Sequence, residues 1–263
     1  TILLTRQSLR TKLAAKPQSG VAVRMPKTEN QLTLLVCTAG EQPGFVLLYL
    51  NASQNCIRLA ALPAETAIPF GQGEASRVGA LVRQFGGSKV LLVAGGGSVL
   101  KNGAYDAAAA SLKEAGIPWC ELWGVQANPR SGKVYEGISL ARKEGVDFLL
   151  AIGGGSVIDT AKAIGMGVPY DGDFWDFFTG KAKIERTLPV GTVLTISAAG
   201  SEGSDSCVIT QENGNLKWGC PKTDVIRPKF SVLDPTYTCS LPDYQLACGA
   251  VDMLAHLCER YFT

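Results

Sequence analysis

The sequence predicts an α/β fold built around a parallel sheet, and three observations predict it. From residue 66 onward, short β-rich runs alternate with helix-like stretches, the pattern of βαβ units. Two of the runs, 89–94 (KVLLVA) and 148–152 (FLLAI), are continuously apolar, as strands buried on both faces must be. Both end in Gly-Gly-Gly-Ser, at 95–98 and at 153–156, and a helical pattern follows each.

The elements follow in order. After the strand at 89–94 and its glycine turn, residues 104–115 read as a helix, with Gly116 placed to cap its end. Residues 119–123 form the next strand, Asn128-Pro129 a loop, and 134–144 a helix closed by Gly145. The strand at 148–152 leads through its glycine turn into the helix that begins Val157-Ile158-Asp159-Thr160. Beyond Tyr170 the pattern is loop-like, and the aromatics Phe174, Trp175, Phe177 and Phe178 read better as core or inter-domain packing than as a substrate cleft. A strand at 192–196, a Ser/Gly-rich turn at 197–206, a hairpin around Asn213-Gly214 and a strand at 230–233 come next. Leu241-Pro242-Asp243 then opens a helix that runs to the end, with proline at an early position where it is tolerated. That helix carries Leu246, Val251, Leu254, Leu257, Tyr261 and Phe262, which need something to pack against.

Composition narrows the function. The chain has 263 residues, 46% of them hydrophobic and 18% charged, and its 30 glycines are dispersed, so disordered and collagen-like chains are excluded. The apolar run near the front, 45–50, is six residues, against the roughly 20 a spanning helix needs, and no membrane partner is expected. Residues 1–65 hold seven Lys/Arg against three Asp/Glu, while the remainder is net negative. This basic front reads as a transit-like peptide, a basic arm, translation from an upstream start, or an extension of the fold. No aromatic-interleaved basic stripe follows it, so nucleic acid is not an expected partner. The eight cysteines form no Cys-x-x-Cys pair and no dense framework, so reduced, mostly buried thiols and a cytoplasmic location are expected. The Asn51-Ala52-Ser53 triplet carries no weight as a glycosylation sequon.

Three constellations carry chemistry. The turn at 153–156 lets backbone approach a ligand and offers a helix N-terminus to a pyrophosphate; a tight turn with no ligand is the alternative, and the pattern is not G-x-G-x-x-G. Its twin at 95–98 strengthens the phosphate reading, because both lie at the carboxyl ends of predicted parallel strands. The second constellation is the small hydroxyl run 195–202, which can line the same crevice or simply make local turn hydrogen bonds. The third is Asp252 and His256, four residues apart on one helical face, suited to a shared metal ion or to an ordinary hydrogen bond.

Taken together and in order, Pro69-Phe70-Gly71-Gln72-Gly73, the first glycine turn, Asn128-Pro129, GGGSVIDTAK (153–162), LTISAAGSE (194–202), Lys217, RPKFSVLDP (227–235) and GAVDMLAHLCERY (249–261) resemble the iron-containing, group III metal-dependent alcohol dehydrogenases. The branch most resembled is that of the NADPH-dependent butanol dehydrogenases and aldehyde reductases. The resemblance covers 66–263 and does not extend to 1–65. It implies a Rossmann-like parallel-sheet nucleotide-binding domain (66–240) followed by the start of an all-α metal-binding domain (241–263), a dehydroquinate synthase-like architecture, with 1–65 an extension of uncertain origin.

It also implies residue roles. Gly154, Gly155, Ser156 and Asp159 match the pyrophosphate-side motif, and Thr195, Ser197 and Lys217 match positions lining the cofactor. Gly96, Gly97 and Ser98 stand where members choose between nicotinamide cofactors; with no carboxylate there, NADP(H) is expected over NAD(H). Asp252 and His256 match the first two of four ligands to one divalent metal, iron or zinc. The implied activity interconverts primary alcohols and aldehydes on small substrates, with a homodimer through the nucleotide domains. The related alternatives are a glycerol dehydrogenase-like or dehydroquinate synthase-like enzyme, and a non-catalytic nucleotide-binding remnant. The two further ligands of the family are histidines, and His256 is the only histidine of this chain, so an incomplete metal site and a C-terminally truncated enzyme are expected.

Overall fold

The computed structural model describes residues 66–262 and two short strands before them, β1 (Val21–Ala22) and β2 (Leu35–Val36), which pair antiparallel. The rest of the basic front, including Cys37, Cys56 and the Asn51-Ala52-Ser53 triplet, lies outside the described residues, as does Thr263.

The remaining strands are β3 (Val90–Ala94), β4 (Trp119–Leu122), β5 (Phe148–Gly153), β6 (Val190–Leu194), the hairpin strands β7 (Val208–Gln211) and β8 (Leu216–Gly219), and β9 (Phe230–Leu233). The helices are α1 (Val78–Gln84), α2 (Ser98–Lys101), α3 (Ala104–Glu114), α4 (Ser131–Glu144), α5 (Gly155–Gly167), α6 (Asp176–Thr179) and α7 (Asp243–Phe262). Five strands make one parallel sheet in the order β4-β3-β5-β6-β9, with the β7–β8 hairpin apart from it.

Every residue of β3, β5, β6 and β9 is buried, because helices cover both faces. Side chains alternate between the two layers with the period of 2 that a strand imposes. Leu91, Val93, Leu149 and Ala151 join Val134, Ile138, Ile158 and Ile164 of α4 and α5, whereas Val90, Leu92, Phe148, Leu150 and Ile152 meet Val78, Val82, Ala108 and Leu112 of α1 and α3. Each Val, Leu, Ile or Phe side chain among these contributes roughly 1.5–3 kcal/mol on burial. The strand order reverses between β3 and β5: the chain leaves β3 to one side and returns to the other. In open α/β sheets the crevice at the carboxyl ends of such a pair is where ligands bind. The two glycine turns follow these two strands.

Several boundaries shift. The strand expected at 192–196 spans Val190–Leu194, because beyond it the Thr195 amide bonds to the Gly153 carbonyl at 3.1 Å and the chain turns. The helix expected from 134 begins at Ser131, and Ser98, expected in a turn, opens the four-residue α2. The loop-like aromatic segment contains α6, and Phe174, Trp175, Phe177 and Phe178 are all buried, as the packing reading expects. An edge escaped the sequence: residues 67–71 run parallel to β9, exchanging backbone hydrogen bonds of 2.8–3.1 Å with Lys229, Ser231 and Leu233. The expectation of mostly buried thiols fails for the described cysteines. Cys207 and Cys220 are buried and Cys120 and Cys239 half-buried, but Cys248 and Cys258 are exposed on α7, whose Tyr244, Val251, Leu254 and Phe262 are also exposed. Among the described residues no helix is long and apolar enough to cross a membrane.

Candidate functional site

The turn after β5 is held by its neighbours. Gly153 has φ +158°, and a Cβ there would lie 2.7 Å from Val157 Cγ2; at Gly154 it would lie 2.4 Å from Ile196 Cγ2. No larger residue fits without displacing a β-branched side chain. No side chain caps α5, whose first bonds run from the Val157 and Ile158 amides to the Gly154 carbonyl at 3.0 and 3.2 Å. The Gly155 and Ser156 amides therefore head the helix ahead of its ladder, at the positive end of its dipole.

One turn further, Asp159 faces protein donors. Its carboxylate accepts from the Ser201 hydroxyl and, at 3.0 Å, from the Val208 amide. Lys162 is fully buried and donates to the carbonyls of Ser201, Ser204 and Ser206 at 2.7, 2.9 and 2.9 Å. Together they clamp residues 201–208 to α5. Burial pushes the Asp159 carboxyl above its ordinary range, opposed by the Ser201 hydroxyl and the Lys162 ammonium, and pushes Lys162 below its own, opposed by Asp159. Sequence reasoning did not single out Lys162; a lysine inside the apolar stretch 157–166 was the available signal.

The turn after β3 is open. A Cβ at Gly96 or Gly97 would meet nothing within 4 Å, and Ser98 is exposed. Across the reversal point, the loop after β4 carries Asn128, whose side-chain oxygen accepts from Lys217 Nζ at 2.8 Å. Lys217 rides on β8, and the hairpin is docked to this loop by the Thr210 amide on the Pro129 carbonyl at 2.8 Å. Lys217 is thus brought beside the crevice from 89 residues away in sequence.

The chain leaving β6 completes the rim. Thr195 is buried beside Gly153, and Ser197 Oγ is a buried side-chain oxygen with no hydrogen-bond partner. Such an atom costs about 1–3 kcal/mol unless something bonds to it, and a ligand hydroxyl or phosphate fits that need. Here α7 meets the sheet: a Cβ on Gly249 would lie 2.5 Å from the Ser197 carbonyl oxygen. Asp252 and His256 lie three and seven residues beyond Gly249, on the same face of α7. His256 Nε2 and Asp252 Oδ1 are 3.8 Å apart, too far for the ordinary hydrogen bond that was the simpler expectation. His256 Nδ1 is 4.0 Å from Glu259 Oε2. The pair offers one nitrogen and one oxygen donor, both partly exposed, and among the described residues no group of three or more His, Cys, Asp or Glu could hold a metal ion. A closed site needs donors from elsewhere.

The structure thus gathers Gly96, Gly97, Ser98, Gly154, Gly155, Ser156, Thr195, Ser197 and Lys217 around the carboxyl ends of β3, β5 and β6. Asp159 is turned to the clamp, and Asp252 and His256 follow Gly249 along α7.

Comparison with known proteins gives the family of the chain. The family model described as iron-containing alcohol dehydrogenase matches residues 65–235. The chain is 48% identical over 198 residues to the NADH-dependent butanol dehydrogenase A of Clostridium acetobutylicum, covering 75% of this chain and 50% of that one. It is 37% identical over 205 residues to the NADPH-dependent aldehyde reductase YqhD of Escherichia coli, covering 77% and 52%. Among solved structures, NADH-dependent butanol dehydrogenase A from Thermotoga maritima superposes with a TM-score of 0.73 at 44% identity, over 76% of this chain and 50% of that one. The chain spans about half the length of the curated relatives it matches.

Proposed function

The chain belongs to the iron-containing alcohol dehydrogenase family, and on that footing we propose that it carries the nucleotide-binding part of an oxidoreductase interconverting primary alcohols and aldehydes. The observation that carries the reading is the meeting, at the strand-order reversal, of two glycine turns, the uncapped head of α5 and the buried, unbonded Ser197 hydroxyl. When bound, a nicotinamide dinucleotide would supply the redox chemistry, and a divalent ion, iron or zinc, would supply positive charge beside a substrate oxygen.

The residues have distinct tasks in this reading. The Gly155 and Ser156 amides receive the pyrophosphate, Ser197 and Thr195 bond the cofactor's polar edge, and Lys217, held by Asn128, contributes charge at the rim. Asp159 with Lys162 keeps residues 201–208, which lie between Ser197 and Lys217, in place. Asp252 and His256 would hold the metal in part, with the remaining donors supplied from outside the described residues. We divide the chain accordingly into 1–65, 66–240 and 241–263, and take the assembled protein as a homodimer.

On the cofactor, the open turn at Gly96, Gly97 and Ser98 has no carboxylate to repel a 2′-phosphate and has Lys101 close in sequence, which supports NADP(H). The relatives named NADH-dependent favour the opposite preference, so the test measures both. Titration of NADPH and of NADH, followed by nicotinamide fluorescence, is expected to saturate with NADPH binding about tenfold tighter. Tighter NADH binding reverses the preference, and binding of neither overturns the reading. Metal uptake with reduction of a short-chain aldehyde, on this chain and on one carrying the further length its relatives have, separates an enzyme from a nucleotide-binding remnant. Activity in neither favours the remnant.

A further inference from the structure

Cys207 and Cys220 flank the β7–β8 hairpin at its open end, thirteen residues apart in sequence and side by side in space. Their sulfurs are 3.5 Å apart, the Cys220 amide donates to the Cys207 carbonyl at 3.0 Å, and the Cys207 amide points at Cys220 Sγ at 3.4 Å. Cys207 is 1% and Cys220 6% exposed. The pair continues directly into the clamp on α5: Ser206, before Cys207, gives its carbonyl to Lys162, and Val208, after it, gives its amide to Asp159.

We propose that Cys207 and Cys220 form an oxidisable dithiol that hydrogen peroxide converts to a disulfide, closing the base of the hairpin beside the clamp on α5. Backbone geometry already opposes the two residues across the strand pair, and closing 3.5 Å to the roughly 2.05 Å of a disulfide needs only side-chain rotation and a small approach. Peroxide is the oxidant class because the burial of both sulfurs disfavours attack on a bulky disulfide and favours a small oxidant. Cys220 is the attacking sulfur. The Cys207 thiol and amide donate hydrogen bonds to it and, with the Lys162 ammonium, lower its pKa against the effect of burial, whereas Cys207 is pushed well up by the hydrogen bond its thiol makes to Cys220 and by burial.

In the first step the Cys220 thiolate attacks one peroxide oxygen, the O–O bond breaks, and a sulfenic acid forms with hydroxide leaving, which takes up a proton to become water. In the second, Cys207 gives up its proton, its sulfur attacks Cys220 Sγ, and the S–O bond breaks with release of a second water. Two thiols are oxidised by two electrons, and one peroxide is reduced to two waters.

Peptide mapping of the full chain tests this without a variant. Trypsin cuts after Arg186, Lys217 and Lys222, so the linked pair would appear as residues 187–217 joined to 218–222. After brief treatment with equimolar peroxide, quenching, unfolding and alkylation, that linked peptide is expected, cleaved by dithiothreitol, with a melting temperature raised by about 5 °C in the oxidised protein. Recovery of both cysteines as alkylated thiols while the exposed Cys248 and Cys258 are oxidised overturns the proposal. So does a pairing of either residue with another cysteine, or formation of the link with no rise in melting temperature.

Discussion

After β3, the turn Gly95-Gly96-Gly97-Ser98 stands clear of its surroundings at its two middle residues and runs into a helix of four residues. After β5, the same four letters are pressed against Val157 and Ile196, open a helix of 13 residues, and are backed by the buried Asp159 and Lys162. Both leave a parallel strand on either side of the reversal point. Part of the difference is made by Ile196 and the residues after it, which are far away in sequence. A packed turn presents its amides in one geometry, which suits a pyrophosphate common to every dinucleotide. An open turn tolerates what is placed beside it, which suits the part of the ligand that differs between cofactors.

Removing the support of the packed turn should have the largest effect. Lys162→Met leaves three buried or part-buried carbonyls without their donor and Asp159 without its main cationic partner, and is expected to lower stability by about 3–5 kcal/mol in urea unfolding. A loss under about 1 kcal/mol would mean that the clamp is not what holds residues 201–208. Next come matched alanines. Gly154→Ala must displace Ile196 and is expected to cost about 1–3 kcal/mol and to weaken both nicotinamide cofactors alike. Gly96→Ala enters open space and should stay within about 0.5 kcal/mol of the parent. Equal losses at the two positions would erase the distinction between the turns.

The strands that carry these turns were legible because a doubly buried strand must be apolar throughout, and 89–94 and 148–152 contain nothing else after Lys89. The helix ends were legible where glycine supplies a positive φ, as at Gly116 and Gly145. The pairing of residues 67–71 with β9 was hidden, since Ala67, Ile68 and Pro69 carry no alternation and the pairing is made by backbone groups alone. The site residues were found as letters of a pattern, but the pattern held no information on environment. Gly96 and Gly154 look interchangeable until Ile196 is placed beside one of them. Asp159 reads as a ligand residue until the Ser201 hydroxyl and Val208 amide, both more than 40 residues on, are seen to occupy it. Cys207 and Cys220 escaped because antiparallel pairing, and no short spacing, brings them together.

A charge placed in each turn sharpens the comparison at the level of the ligand. Ser98→Asp puts a carboxylate in the open turn, where it should oppose a 2′-phosphate and welcome a ribose hydroxyl, shifting the NADPH to NADH binding ratio toward NADH by about tenfold. Ser156→Asp puts the same charge at the head of α5 and should weaken the two cofactors to the same extent. The ratio of dissociation constants, measured side by side for both variants, decides the matter. A shift in the ratio from Ser156→Asp, with none from Ser98→Asp, would exchange the roles assigned to the turns.

The smallest effect is expected where the two strands are tied together at their other ends. Asp147, just before β5, accepts from the Ser88 and Lys89 amides at 2.9 Å and from the Ser88 hydroxyl, at the start of β3. Burial works to raise its pKa, but the Ser88 hydroxyl and the two amides more than offset this and hold it below the ordinary value. A carboxyl whose folded pKa lies below its unfolded value stabilises the fold above that unfolded value, and the contribution is lost as pH falls through the folded pKa. Asp147→Asn should therefore cost about 1 kcal/mol at pH 7, discounted for partial exposure, and the gap to the parent should close in strong acid. Because Asp147 joins β3 to β5 below both turns, its loss should loosen them together, lowering stability without changing the NADPH to NADH ratio. Urea unfolding at a series of pH values checks the first point, and a gap that stayed constant into acid would show that the charge of Asp147 does not contribute. A changed cofactor ratio would show that the open turn depends on the strand beneath it as much as the packed one does.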